Sequence, residues 1–347
     1  MKRKILLYIF IAFVAVFLFC GLQVFKTEPT KPASASLVVE TPKVEEYKPE
    51  KILFIGDMMF DRGVEAQMEK NTSFSYPMEI IKSFLKGFDF VVGNLEGPMN
   101  ENPKVFPDSS MTFSFDKKSV ESLKEGNFSL VSLANNHTLN MDREGLEETK
   151  SILTENSISF VGDPIECDSD YIYQKEGITY YGINVTYPSN CSNKEIASQI
   201  EDIRFYNPET YLIVLIHWGV EYEPANSKGQ EDLAHAMIDA GANLIIGGHP
   251  HVVQNIEQYN GKLIFYSLGN FIFDQYFSPE TQEGLGLGLE TYKDKKVFTL
   301  YPIENNVSYQ PELMDEAKRI DFLNLLAEKS SEELKESIKS GKIEIKN

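Results

Sequence analysis

From residue 51 onward the chain is punctuated by short apolar runs that each stop at a small or polar residue. Residues 51–55, 88–92, 128–133, 177–183 and 211–216 are nearly continuous in apolar character, and 242–246 and 262–268 repeat the pattern. Runs this short and this apolar predict strands buried on both faces. Residues 285–301 add further strand-like segments. Between the runs, 76–85 has helical spacing, Asp142 predicts an N-cap for a helix to about Leu153, and 231–240 predicts a helix closed by Gly241. Strands alternating with helices predict an α/β domain with a largely parallel sheet core. Residues 312–340 predict two charged amphipathic helices with a capping box at 330–333.

The region before residue 51 reads differently. Residues 5–25 are apolar apart from Gln23, long enough for a helix to cross a bilayer. Lys2, Arg3 and Lys4 precede them, which leaves the N-terminus in the cytoplasm and the body outside. A cleaved signal peptide is the alternative, with Ala33-Ser34-Ala35 as a cleavage site well past the apolar run. Both readings put the body outside the cytoplasm. Pro29, Pro32, Pro42 and Pro49 mark a semi-extended linker. The expected organisation is a cytoplasmic tip (1–4), a transmembrane anchor (5–25), a linker (26–50), a folded domain (51–305) and a helical appendage (306–347).

The strand ends carry the chemistry. Five runs end in residue types that bind metal: Asp57; Glu96; Asn136 with His137; His217; and His249 with His251. Open α/β sheets place ligands at the carboxyl ends of their strands. Four of the five histidines fall in this set, and Pro250 stiffens the turn between the last two. His235, mid-helix, has no such context and reads as an ordinary structural histidine. Oxygen and imidazole donors without cysteine suit one or two divalent ions, Mn, Fe or Zn. Two such ions about 3.5–4 Å apart are a known arrangement for hydrolysis at phosphorus.

Charge narrows the partners. Lys plus Arg is 33 against 52 Asp plus Glu, a net −19; without Lys2, Arg3 and Lys4 the remainder is −22. So acidic a body is a poor general binder of nucleic acid, whose affinity rests on neutralising phosphates. Three cysteines exclude a disulfide scaffold, although Cys167 and Cys191 are free to pair outside the cytoplasm.

Six ordered stretches resemble the CapA family of capsule-synthesis proteins. They are Gly56-Asp57-Met58-Met59-Phe60-Asp61-Arg62-Gly63-Val64, Gly93-Asn94-Leu95-Glu96-Gly97, Ala134-Asn135-Asn136-His137, His217-Trp218-Gly219-Val220-Glu221-Tyr222, Gly248-His249-Pro250-His251-Val252-Val253-Gln254 and the run from Tyr266 to Gln275. The resemblance covers residues 51–301 and implies a calcineurin-like metallophosphoesterase fold, a four-layer sandwich of two β-sheets flanked by helices. It implies Asp57 and His251 on a first metal, Glu96 bridging, and Asn136, His217 and His249 on a second. His137 is the implied general acid and Arg62 an anion clamp. Trp218, Glu221, Tyr222, Asn270 and Asp274 are placed around the substrate, Trp218 serving as a stacking surface or a wall. Met59 stands where the superfamily often has a histidine, which leaves the first metal short of a ligand. Asn140 stands where an aspartate is expected.

The function implied is a membrane-anchored, extracytoplasmic, metal-dependent phosphoesterase-like protein in poly-γ-glutamate or capsule synthesis or export. Its expected partners are membrane polymer-synthase subunits, and its substrate a phosphoester or an anionic surface polymer. Two alternatives use the same residues: a non-catalytic metal-binding assembly subunit of the synthase, and a γ-glutamyl amide hydrolase or transferase.

Overall fold

The strand Lys51–Met58, buried along all but its first residue, is the axis of the larger of two principal sheets. The structure, a computed structural model, describes residues 48–107, 110–167 and 172–346. The expected transmembrane segment (5–25) and all of the linker but residues 48–50 lie outside the described residues. Among the described residues, no helix is long and apolar enough to cross a membrane.

Lys51–Met58 pairs in parallel with Phe90–Leu95 and antiparallel with Glu283–Thr291. Parallel pairing continues through Phe128–Ser132 to Ser159–Val161. The second sheet sets Ile178–Asn184, Tyr211–His217, Leu244–Gly248 and Lys262–Phe265 side by side in parallel. The β-period of two decides what each strand buries. Ile52, Phe54, Phe90, Val92 and Leu130 face Tyr180, Ile213, Leu215, Leu244 and Ile246 between the sheets. Leu53, Ile55, Val91 and Val131 face the other way, onto Met68, Leu85, Leu123, Leu146 and Leu153 from the helices outside. Tyr181, Leu212, Val214 and Ile245 pack likewise against Ile196, Ile200, Leu233 and Met237. The result is four layers, helix on sheet on sheet on helix. Each fully buried side chain contributes roughly 1.5–3 kcal/mol.

Some local expectations are corrected. Residues 76–85 do not form one helix; Pro77 opens a single 3₁₀ turn at Tyr76–Met78, and Lys82–Leu85 follows. Asp142 does not cap its helix: it is the first residue of Asp142–Glu155, at φ +57°. Ser330 makes no capping box; its hydroxyl donates to Leu326 O and accepts from Ile256 N. Capping boxes open two other helices instead, Asn193–Tyr206 with Ser192 and Glu195, and Lys228–Asp239 with Ser227 and Gln230.

The tail is more than a helical appendage. Helices Glu316–Lys329 and Lys335–Ser340 insert Phe322, Leu323, Leu326 and Ile338 into the core between the sheets. The chain then ends as a strand, Lys342–Lys346, paired with Lys295–Asn305. Its alternation, with Ile343 and Ile345 between charged residues, is a strand pattern. The tail also grips the segment just after His251. Lys329 Nζ donates to Val253 O and Pro224 O, and Ser331 N donates to Ile256 O.

Burial pushes the Lys329 ammonium down to about 8. Between that value and the ordinary lysine value near 10.5 the unfolded chain binds the extra proton, so stability rises with pH there. Urea unfolding is expected to show wild type gaining on Lys329→Met between pH 8 and pH 10.5, by about 1 kcal/mol once the side chain's partial exposure to solvent is allowed for. A difference that stays constant across that range contradicts the account.

Candidate metal centre

The carboxyl ends of the parallel strands from both sheets meet over Asp57. Two glycines make the approach possible. A Cβ on Gly248 would lie 2.5 Å from Asp57 Oδ1, and one on Gly56 would lie 1.8 Å from Gly269 O. Asp57 is fully buried and accepts from Asn94 Nδ2 at 2.8 Å and from the backbone N of His249 at 3.0 Å. Backbone strain gathers here: Arg62, Tyr222, His249 and His251 all have positive φ, +94° at His249. Non-glycine residues hold such angles at a cost, and they cluster at functional sites.

Asparagines orient the ligands. Asn135 Oδ1 accepts from the backbone N of His137 and Thr138, so its Nδ2 donates to Asn94 Oδ1 at 3.0 Å. Asn94 Nδ2 therefore faces Asp57 and, at 3.3 Å, His217 Nδ1. His217 Nε2 lies 2.8 Å from Asn136 Oδ1, about the spacing of two adjacent ligands on one ion with bonds near 2.1 Å. Asn270 Nδ2 donates to Thr281 O and Gln275 Oε1, which turns its oxygen to His251 Nδ1 at 3.0 Å. The lone pair of His251 is thereby left on Nε2, 3.5 Å from Glu96 Oε1. His137 is set the same way: Asn140 Oδ1 accepts from Phe113 N at 2.7 Å and faces His137 Nδ1 at 3.0 Å. His137 Nε2 then points inward, 3.9 Å from Glu96 Oε1.

Three buried atoms stand out. Glu96 is fully buried, and among the described residues neither of its carboxylate oxygens has a hydrogen-bond partner; His249 Nδ1 has none either. Buried polar atoms are otherwise almost always paired. Burial, with Asp57 and Glu221 nearby, pushes the Glu96 carboxyl far above its ordinary value. Burial pushes Asp57 up too, but His251 and the His217 charge outweigh it and bring it to about 2. Burial lowers His137 and His249 to about 4 and His217 well below its ordinary value. Burial also opposes charge on His251, yet Glu96 and Asp57 raise it to about 9. A divalent cation inverts this logic by favouring ionised carboxylates and neutral imidazoles. The donor set and its orphaned atoms fit such an ion.

The donors fall into two groups, each with its donor atoms within 4.8 Å of one another: Asp57, Glu96 and His217; and Glu221, His249 and His251. The pairs expected to share an ion are adjacent as well: His251 Nδ1 lies 3.4 Å from Asp57 Oδ2, and the His217 and His249 rings are 4.7 Å apart. Arg62 lies at the rim, ion-paired to Asp274 and 4.9 Å over the Phe113 ring that packs on His137. Three residues expected around the substrate are committed to protein partners. Trp218 is buried in the outer core, donates to Tyr266 O and stacks on Tyr266. Asp274 is engaged with Arg62 and Gly63 N. Asn270 is buried behind His251. Tyr222 is 40% exposed beside His251 and so remains open to a substrate. The supporting roles of Asn94 and Asn135 are not among the sequence expectations, although each neighbours a candidate ligand in Asn94-Leu95-Glu96 and Asn135-Asn136-His137. His235 pairs with Glu257 and stacks on Tyr259, away from the centre. Cys167 and Cys191 are joined as a disulfide.

Comparison with known proteins agrees in extent with the folded part. The family model described as "Bacterial capsule synthesis protein PGA_cap" matches residues 51–275. The PGA biosynthesis protein CapA of Bacillus subtilis (strain 168) is 34% identical over 259 residues, 68% of this chain and 67% of its own. The capsule biosynthesis protein CapA of Bacillus anthracis is 30% identical over 285 residues, 76% of this chain and 67% of its own. Among solved structures, a purple acid phosphatase from yellow lupin is a distant likeness at 11% identity and TM-score 0.37, covering 78% of this chain and 53% of its own.

Mn²⁺ added to the metal-stripped protein at 100 times its Kd is expected to raise stability by about 2.7 kcal/mol. Glu96→Gln is expected to abolish most of that gain in a thermal melt with and without Mn²⁺. Equal gains in the two proteins contradict the assignment of Glu96.

Proposed function

The chain belongs to the bacterial capsule synthesis PGA_cap family, and from that premise we propose that it is a divalent-metal phosphoesterase serving capsule or poly-γ-glutamate synthesis outside the cytoplasm. The observation that carries the reading is Glu96, a fully buried carboxylate with neither oxygen hydrogen-bonded, set among four imidazoles and Asp57. The printed names of the Bacillus relatives support the polymer context. The Cys167–Cys191 disulfide supports an oxidising compartment. The apolar residues 5–25 support attachment to the membrane, and with it access to polymer-synthase subunits.

Asp57, Glu96, Asn136, His217, His249 and His251 would hold the metal, which supplies Lewis acidity toward a phosphoryl oxygen. The remaining roles belong to the chain's own residues. Arg62, its Nε without a partner among the described residues, binds substrate anion from a guanidinium already steadied by Asp274 and Phe113. His137 holds or releases a proton at Nε2, since its Nδ1 is committed to Asn140. The negative charge of an incoming phosphoester favours the imidazolium, so His137 acquires the proton it gives to the leaving oxygen.

A second reading has its own observation. All four imidazoles, Asp57 and Glu96 are buried, as in a closed structural metal site. That favours a metal-stiffened assembly subunit. Hydrolysis of aryl phosphomonoesters and phosphodiesters by the Mn²⁺-loaded protein separates the two. His137→Ala is expected to lower kcat by about 10²–10⁴-fold with metal content unchanged. Arg62→Ala is expected to weaken substrate binding. Bound metal with no turnover on either ester supports the assembly reading, and polymer shortening without ester turnover supports action on a γ-glutamyl amide.

A further inference from the structure

We propose that Glu221 is a metal ligand, joining His249 and His251 at the centre that also holds Asp57, Glu96 and His217. The proposal rests on the metal-dependent reading above and adds a ligand to it. Met59 cannot supply a ligand to the centre. Its side chain is buried in the core outside the larger sheet, and its sulfur lies 2.9 Å from the backbone N of Asp61.

Glu221 is brought to the centre by the backbone rather than by chance exposure. The loop after Tyr211–His217 is stitched to the loop after Leu244–Gly248 at two points. Trp218 N donates to Gly248 O at 3.2 Å, and Tyr222 N donates to Pro250 O at 2.8 Å. Between these bonds the chain turns back at Gly219, φ +91°, and at Tyr222, φ +66°. A side chain on Gly219 would meet Gln230, so the reversal needs glycine there. The same two bonds that fix the loop set Glu221 beside His249 and His251, donor atoms within 4.8 Å.

An independent observation points to an ion at this spot. His249 is 8% exposed, and its Nδ1 has no hydrogen-bond partner among the described residues. One carboxylate and two imidazoles form a set suited to Zn, Mn or Fe. The two groups form one centre: His251 Nε2 lies 3.5 Å from Glu96 Oε1, His251 Nδ1 lies 3.4 Å from Asp57 Oδ2, and the His217 and His249 rings are 4.7 Å apart. Three carboxylates, Asp57, Glu96 and Glu221, against two divalent ions leave the centre positive, which suits an anionic substrate in an otherwise acidic body.

Equilibrium dialysis of the full-length, metal-stripped protein against Mn²⁺ or Zn²⁺, with metal counted by mass spectrometry and affinities by calorimetry, tests the assignment. Wild type is expected to hold two ions. Glu221→Gln is expected to keep one and to bind the other about 100-fold more weakly, at least as large a loss as supporting residues cause. Asp57→Asn is expected to weaken ion binding as well, and Glu223→Gln, at an exposed neighbour, to leave both ions in place. If Glu221→Gln fails to fold, Glu221→Asp takes its place and is expected to keep the ion with weakened affinity. Two ions at unchanged affinity in the Glu221 variant overturn this assignment and leave the proposed function standing. If wild type holds one ion, its loss in Glu221→Gln supports the ligand and its retention overturns it. No ion in wild type overturns both readings.

Discussion

A carboxylate with nothing to bond to is the constraint around which this structure is arranged. Glu96 is wholly buried, and its two oxygens accept no hydrogen bond among the described residues. Burying an unpaired charge costs more than a single domain can readily offset. Left to itself the group stays protonated, as its upward shift indicates. The surroundings are nevertheless built for charge, with Asp57 ionised and imidazoles presented by three strands. The positive backbone angles at His249 and His251 belong to the same logic, since strain of this kind persists only where the surrounding structure enforces it.

The fold explains how so few residues achieve this. Parallel strands from two sheets end on one side, so a polar residue placed just after each apolar run arrives at a common point. Asparagines then set the direction of Asp57, His217 and His251. Asn135 orients Asn94, Asn94 faces Asp57 and His217, and Asn270 directs His251. The C-terminal tail takes part from a distance, because Lys329 and Ser331 hold the segment just after His251.

Much of this is legible in the order of residues alone. The two-sheet architecture arises from short apolar runs alternating with helices, and the strand-end residues identify themselves by type. Direction is not legible in the same way. His217 faces the centre, so its neighbour Trp218 must face the outer core, an alternation the apolar run alone does not phase. Asp274 reads as a substrate contact until Arg62, far away in sequence, is seen to occupy it. Glu221 looks like an ordinary loop carboxylate until two backbone bonds tie its loop to the histidine turn. The tail reads as helical because its charged stretch dominates, and its last five-residue strand is stable only through pairing with Lys295–Asn305.

The central claim is that Glu96 is buried for the sake of a cation, and anomalous diffraction from Mn²⁺-loaded crystals, collected at the manganese edge, tests it most directly. The account predicts anomalous density within bonding distance of the Glu96 carboxylate, shared with Asp57 and His217. Density that is absent there, with both Glu96 oxygens hydrogen-bonded to protein or water instead, would contradict it.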